Sequence, residues 1–293
     1  MKKVKKREKW LEKAMNLLFL ACGLLTIMFV ILITVFLIIS GIPAIRSIGL
    51  FNFLFGKVWA SAAREPSYGI LPFILTSVYG TLGAIVIGVP VGILCAAFLA
   101  KMAPEKAAGV VRSVVDLLAG IPSVVYGLVG MIVIVPWVRE RFRLPDGANL
   151  FSAILVLAVM ILPSVISVSE TAIRAVPEEY EEASLALGAT KTETVFRVIL
   201  PAAKSGIATA VVLGIGRAVG EAMAVMMVAG NVANMPRLFG SVRFLTTAVA
   251  SEMSYSSGLQ RQALFSIALV LFLFIMAINL FLNIIIKRGK KRD

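Results

Sequence analysis

A positive and a negative charge interrupt an otherwise apolar segment of the chain. In the stretch LGIGRAVGEAMAVMMVAGN, residues 213–231, Arg217 and Glu221 stand four residues apart. On an α-helix this spacing places both side chains on one face, so the sequence predicts an ion pair. A guanidinium also presents a planar fork that suits bidentate contact with an oxyanion.

Burying such a pair contributes little to stability. A lone arginine at mid-membrane costs about 2.5–3.5 kcal/mol on insertion scales, and a buried pair is close to neutral because both groups lose their water. Three interpretations of Arg217 and Glu221 stay open. They contact an oxyanion, they form a pair that opens and closes with conformational change, or they form a static pair that faces a neighbouring subunit.

The sequence carries no clear motif for a nucleotide site, a metal site or a disulfide framework. Gly214, Gly216 and Gly220 miss the G-x-G-x-x-G spacing, and no G-x-x-x-x-G-K-[ST] occurs, so we expect no ATP site of the P-loop type in this chain. Gly216 and Gly220 instead form G-x-x-x-G, a surface on which another helix packs closely. The chain has no histidine, and Cys22 and Cys95 lie in apolar runs, which predicts neither a metal site nor a disulfide framework.

The composition requires membrane-spanning helices to position these residues. Hydrophobic residues make up 59% of the 293 residues, against about 45–50% in soluble domains. A helical span takes about 20 residues, and six apolar runs are long enough: 17–39, 69–100, 114–138, 150–168, 207–229 and 263–286. The sequence therefore predicts an all-α polytopic membrane protein with six transmembrane helices. Pro72 and Pro90 predict a kink or a lead-in helix in the second run.

The chain divides into a basic tail (1–16), a transmembrane domain (17–286) and a second basic tail (287–293). The first apolar run is longer than the roughly 7–15 residues of a signal peptide's apolar region, so we interpret it as a retained helix. Lys and Arg number 19 on the side that holds both termini and 9 on the other, which predicts cytoplasmic termini. The net charge of +13 follows this topology, so we expect contact with lipid and no nucleic-acid role.

Three further charged residues lie at the predicted inner ends of the spans. Asp116 follows Arg112 by four residues, which predicts an ion pair at a helix end. Glu170 closes the fourth run, and we interpret it as reaching the cytoplasmic interface, with a gating role as the alternative.

The predicted cytoplasmic segment 177–201 has strong helix boundaries. It follows Val176 and reads PEEYEEASLALGATKTETVFRVILP. Pro177 suits a helix start, and the four glutamates in residues 178–182 favour the positive end of the helix dipole. Gly188 suits a helix end, and Thr190 with Glu193 forms the pattern of a capping box. The segment is predicted to be a short helix, a tight turn and a second helix.

This segment resembles the EAA motif of ABC importer permeases. The residues that carry the resemblance are Glu182, Ala183, Gly188, Leu200 and Pro201. The chain departs from the pattern in Ser184, where the motif has a second alanine, and in Val198, where it has isoleucine. The resemblance implies a coupling helix that docks in a groove of an ATP-binding subunit. The alternative is an ordinary amphipathic helix whose acids face water.

Several stretches sharpen the resemblance and cover nearly the whole chain in order. They are FLFGKVW, YGILPFI, IPSVVYGLVG, GRAVGEAMAVMMVAGN and LTTAVASEM. Together they resemble the membrane subunits of bacterial phosphate-specific ABC importers, of the PstC kind rather than the PstA kind. Ala222 departs from this pattern, in which threonine is expected. That departure removes a hydroxyl beside the expected path.

The resemblance implies a type I ABC importer permease in a bacterial plasma membrane. Its expected partners are a second, PstA-like permease subunit as heterodimer, two ATP-binding subunits and an extracytoplasmic phosphate-binding protein. ATP and magnesium would be held by the ATPase partners, with no cofactor and no enzymatic activity in this chain. Arg217 and Glu221 would lie on the path that phosphate takes. The alternatives are a permease for sulfate or molybdate, an ATP-independent channel or carrier, and an intramembrane enzyme.

Overall fold

The computed structural model describes residues 2–61 and 63–290, and most of these are helical. The α-helices are α1 (Lys2–Ile48), α2 (Leu50–Phe55), α3 (Leu71–Ala97), α4 (Glu105–Gly120), α5 (Ser123–Val129), α6 (Val135–Arg141), α7 (Leu150–Arg174), α8 (Glu178–Ala186), α9 (Lys191–Thr194), α10 (Leu200–Ala202), α11 (Lys204–Gly220), α12 (Met223–Val228), α13 (Leu245–Glu252) and α14 (Gly258–Lys290). Three π-helical segments continue α3, α5 and α9: Phe98–Met102, Gly130–Ile134 and Val195–Ile199. Two short strands, β1 (Trp59–Ala60) and β2 (Ser67–Tyr68), pair antiparallel. The predicted all-α class is confirmed.

Five helical stretches in the described residues are long and apolar enough to cross a membrane. They are Glu12–Ile48, Leu71–Met102, Ser123–Phe142, Leu150–Arg174 and Gly258–Phe281. A sixth is obtained when Lys191–Ala202 and Lys204–Gly220, which meet at an angle of 73°, count as one bent span. The polytopic architecture with up to six spans agrees with the sequence prediction. Residue 1 and residues 291–293 of the two predicted tails lie outside the described residues.

Two of the predicted spans are broken, which corrects their boundaries. The run 114–138 is interrupted at Ile121 and Pro122, so its first residues belong to α4 and the span begins at Ser123. The run 207–229 ends as a helix at Gly220 and resumes in α12. Pro122 sits directly before α5, where its fixed φ angle and missing N–H suit a helix start and not a helix interior.

Helix α7 lies at the centre of the bundle, packed between α3 and α11. Glycines let α3 approach it closely, because a Cβ atom on Gly88 would lie 2.8 Å from Ile161 Cδ1 and one on Gly92 would lie 2.7 Å from Val165 Cγ1. In membranes, such small residues allow the backbone contact that drives helix packing. Helix α1, in contrast, is exposed over most of its described length and contacts α14.

Two prolines and two glycines have surroundings other than those that the sequence predicts. Pro72 lies in the first turn of α3, where no N–H partner is needed, and α3 continues unbroken through Pro90. The predicted close packing on Gly216 and Gly220 is not made within the described chain, because a Cβ on either would meet nothing within 4 Å. That face of α11 is open.

The two ends of the bundle differ in character. At the ribbon end, named for β1 and β2, Glu252 of α13 accepts hydrogen bonds from Trp59 of β1, from Gln260 of α14 and from Arg243 in the segment before α13. The other end, called the α8 end, carries α8 and the carboxyl ends of α3 and α7. A cluster of small and branched residues anchors it: Ala96, Ala97, Ile173, Val176, Val195, Ile199 and Ala203.

Candidate functional site

The predicted helix–turn–helix at the α8 end is confirmed. Helix α8 follows Pro177 and carries three glutamates in its first turn, where the dipole favours them. Gly188 follows with φ of 86°, the left-handed conformation that glycine adopts without a Cβ penalty. The Thr190 hydroxyl accepts from the Glu193 N–H at 3.3 Å, and the Glu193 carboxylate accepts from the Thr190 N–H at 3.0 Å. This capping box starts α9.

Helix α8 presents an unpartnered surface. None of its residues is buried, and the side chains next to its acids include Tyr180 and Leu187, which are 53% and 89% exposed. Glu182 and Ala183 of the EAA motif lie on this exposed helix. Leu187 directly follows α8, so an apolar side chain lies beside the acids of this exposed helix.

Two polar contacts hold α8 to the bundle. Lys101 Nζ donates to Glu181 Oε2 at 2.6 Å. The hydroxyls of Ser184 and Thr194 lie 2.9 Å apart, so the residue that departs from the EAA pattern makes a hydrogen bond an alanine could not make. These contacts fix how α8 projects.

The last two EAA residues lie at the bend before α11. Leu200 packs against the apolar cluster of the α8 end, while Pro201 is exposed in the first turn of α10. The 73° bend follows within three residues. Leu200 therefore anchors the segment, and Pro201 occupies a turn in which its missing N–H costs nothing.

Arg217 is half-buried, and its hydrogen-bond partner among the described residues is a hydroxyl. Its Nη1 donates to Ser164 Oγ of α7 at 3.2 Å. Among the described residues, none of the ion pairs includes Arg217. A guanidinium inside an apolar bundle with only a hydroxyl partner keeps donors for an anion.

The predicted ion pair between Arg217 and Glu221 is wrong. Helix α11 ends at Gly220, and Glu221 is extended with φ of −72° and ψ of 129°, so the two residues do not share a helical face. Glu221 Oε1 accepts from the Ala224 N–H at 2.9 Å, and the Glu221 carbonyl accepts from the Thr246 hydroxyl at 2.6 Å. Glu221 thus stabilises the break between α11 and α12.

The helix that follows the break at Glu221, α12, packs against α5, which is the helix that follows the break at Ile121 and Pro122. Helix α5 contacts α12, and a Cβ on Gly127 would lie 2.7 Å from the Ala224 Cα. The Tyr126 hydroxyl donates to the Leu118 carbonyl at 2.7 Å, across the break between α4 and α5. Non-helical backbone at membrane depth is tolerated where it lines a cavity or is buried in protein. The sequence signals were the Gly-Ile-Pro of residues 120–122 and the glycine at 220.

A second charged cluster, not predicted as a site, lies at the α8 end. Arg112 donates through Nε to Glu170 Oε1 at 2.7 Å, so its predicted pair with Asp116 is replaced. Arg174 donates to the same oxygen at 2.9 Å. The Glu170 side chain is only 10% exposed and lines a cavity of about 380 Å³ together with Asp116. Glu170 is therefore a buried acceptor that joins α4 to α7, and its predicted position at the cytoplasmic interface stays a prediction.

Glu170→Gln is expected to destabilise the α8 end. The amide removes the carboxylate charge to which Arg112 and Arg174 both donate. Breaking a fully buried pair costs about 3–5 kcal/mol, but both arginines are more than a third exposed, so about 1–3 kcal/mol is expected here. Thermal unfolding in detergent measures the change, with exposed Glu179→Gln as control. Equal melting temperatures for both variants would contradict this role of Glu170.

No three His, Cys, Asp or Glu side chains in the described part of the chain lie close enough to share a metal ion. The groups at the site are the exposed helix α8, the half-buried Arg217 and two adjacent helix breaks. This is a helical membrane bundle with an exposed helix at one end and, among the described residues, an arginine that has no ion pair.

The family of the chain follows from its sequence. The model of the binding-protein-dependent transport system inner membrane component matches residues 88–292, and the chain belongs to this family. It is 38% identical over 268 residues to the probable ABC transporter permease protein YqgH of Bacillus subtilis, covering 88% of this chain and 87% of that protein. It is 34% identical to the phosphate transport system permease protein PstC of Pasteurella multocida, covering 83% and 82%.

Solved structures agree with the fold. The methionine ABC transporter MetNI in an inward-facing conformation matches with a TM-score of 0.56 and 22% identity, over 75% of this chain and 94% of that one. An amino acid ABC transporter matches with a TM-score of 0.54 and 22% identity, over 75% and 92%. The type I importer permease fold is thus established for this chain.

Proposed function

We propose that this chain is a PstC-like subunit that translocates inorganic phosphate into the cytoplasm. It pairs with a PstA-like permease subunit and receives phosphate from an extracytoplasmic binding protein. Two ATP-binding subunits hold ATP and Mg²⁺ and drive the bundle between outward- and inward-facing states.

The observation that carries this proposal is the exposed helix α8. It begins directly after Pro177, is followed by the turn at Gly188 and makes two polar contacts, yet buries none of its own residues. A helix that is held rigidly and left uncovered suits docking against a partner. In this proposal the partner is the ATP-binding subunit, and Glu182, Ala183 and Gly188 form the docking region.

Arg217 supports an oxyanion as the substrate. Its guanidinium lacks an ion pair among the described residues. The exposed face of α11 carries, besides Leu213, small and polar residues: Ser205, Thr209, Gly216 and Gly220. A bidentate guanidinium matches the geometry of phosphate. The relatives named PstC favour phosphate over sulfate or molybdate.

The orientation of the chain is part of the proposal. Both basic tails and the α8 end carry most of the Lys and Arg residues outside the spans, and positive residues favour the cytoplasmic side. The α8 end is then cytoplasmic, on the side where ATP is available. The membrane is the bacterial inner membrane.

Uptake of radiolabelled phosphate into proteoliposomes tests the substrate. The vesicles contain the assembled complex and internal ATP, and the binding protein is added outside. We expect ATP-dependent phosphate uptake that a tenfold molar excess of sulfate or molybdate does not reduce. Uptake that persists without ATP would support a carrier instead, and strong competition by sulfate would support the other-oxyanion permease.

A further inference from the structure

The π-helical segment Phe98–Met102 touches α8 through one ion pair. Lys101 Nζ lies 2.6 Å from Glu181 Oε2, and the side chains are only 13% and 27% exposed. A partly buried ion pair is screened less by salt than a surface pair. This contact joins α8 directly to the π-helical segment that continues α3.

The same segment is joined to α4 and α7 through a backbone carbonyl. The Leu99 carbonyl accepts from Arg112 Nη2 at 3.3 Å and from Arg174 Nη2 at 3.0 Å. In a π-helix, a carbonyl accepts a hydrogen bond from the backbone N–H five residues later in the chain. For the Leu99 carbonyl that residue is Pro104, which has no N–H. Two guanidiniums satisfy the carbonyl instead, so the segment is fixed to both helices.

The joined part of α7 also reaches Arg217. Glu170, which accepts from both arginines, lies six residues from Ser164, about 9 Å along a rigid helix. Ser164 Oγ accepts from Arg217. Pro163 directly precedes Ser164 inside α7 and removes one helical hydrogen bond, which makes this the place where the helix bends most easily. The half of α7 after Pro163 can therefore move as one piece.

We propose that the segment Phe98–Met102 is a relay that positions Arg217 in response to α8, an inference that rests on the proposed function. In this proposal, a displacement of α8 moves Lys101 through its ion pair with Glu181. The Leu99 carbonyl, in the same segment, then moves the two arginines that donate to it and to Glu170. The second half of α7 then shifts the Ser164 hydroxyl and with it the guanidinium of Arg217. Lys101 and Arg174 are positioning residues in this scheme, because neither contacts phosphate.

Charge reversal in the assembled complex tests the relay. Lys101→Glu and Glu181→Lys each replace the ion pair with a repulsion, and the double variant restores it in reverse. We expect each single variant to lower the phosphate transported per ATP hydrolysed about fivefold, within the range for loss of one coupling contact. The double variant is expected to return this ratio to within about twofold of the parent. Exposed Lys106→Glu is the matched control and keeps the parental ratio.

Arg174→Lys tests the relay away from the docking helix, so it applies even where the reversals prevent assembly. Lysine keeps the charge but cannot hold the Glu170 carboxylate and the Leu99 carbonyl at once. We expect this variant to copurify with the ATP-binding subunit, hydrolyse ATP and show a lowered transport ratio. A parental ratio in Arg174→Lys, or no rescue in an assembled double variant, would overturn the relay. A parent complex that hydrolyses ATP without moving phosphate would overturn the proposed function itself.

Discussion

Arg217→Gln is expected to reduce ATP-driven phosphate uptake about 10- to 100-fold, because charge-assisted hydrogen bonds contribute about 1.5–3 kcal/mol. The loss has no cost in stability. Glutamine removes a half-buried charge that no carboxylate neutralises among the described residues, so the variant is expected to insert and unfold at least as well as the parent. Initial uptake rates in proteoliposomes, together with melting temperatures in detergent, measure both effects.

Two matched variants separate charge from geometry. Arg217→Lys keeps the charge without the planar fork, and we expect it to retain more uptake than Arg217→Gln. Glu221→Gln keeps an oxygen that accepts from the Ala224 N–H and is expected to transport within a few-fold of the parent. Uptake at the parental rate by Arg217→Gln would contradict the proposal that Arg217 contacts phosphate during transport.

Gly188→Val is expected to abolish coupling to ATP while the protein still inserts. Gly188 has φ of 86°, and the left-handed conformation costs a residue with a Cβ about 1–2 kcal/mol, more when it is β-branched. A Cβ there meets nothing within 4 Å, so the effect arises from backbone strain in the turn and not from a clash. Helix α8 is then redirected relative to α9.

Gly188→Asn is the control for this substitution, since asparagine adopts the left-handed conformation more readily. We expect the asparagine variant to copurify with the ATP-binding subunit and to transport, and the valine variant to lose uptake at least tenfold. Copurification and uptake are measured on the same preparations. Equal uptake by Gly188→Val and Gly188→Asn would contradict a role of the left-handed turn in coupling transport to ATP.

Local signals in the sequence predicted the helix–turn–helix in detail. The helix start after Pro177, the left-handed turn at Gly188 and the capping box of Thr190 with Glu193 are all present as predicted. Each depends on contacts between residues that are close in the chain. Capping and left-handed turns depend on the backbone within a few residues. Long-range packing does not alter them here.

The charged residues inside the spans were harder to predict. Helical spacing paired Arg217 with Glu221 and Arg112 with Asp116, and both pairs are replaced by contacts to other helices or by a helix break. The spacing rule assumes an unbroken helix and partners on the same element. The helix ends at Gly220. Beyond that end, the Glu221 carboxylate accepts a hydrogen bond from the Ala224 N–H, and the Glu221 carbonyl accepts one from the Thr246 hydroxyl.

By itself the sequence determined that the chain is a bundle of membrane helices with a rigid helix–turn–helix between two of them. Those properties arise from hydrophobic runs and short-range capping, which are written in consecutive residues. Only the tertiary structure decided that Glu170 accepts hydrogen bonds from two arginines, that the Leu99 carbonyl accepts from both of them, and that Arg217 donates to the Ser164 hydroxyl instead of pairing with Glu221. Each of these depends on helices distant in sequence meeting in space, where a buried charge pairs with whichever group the packing brings within reach.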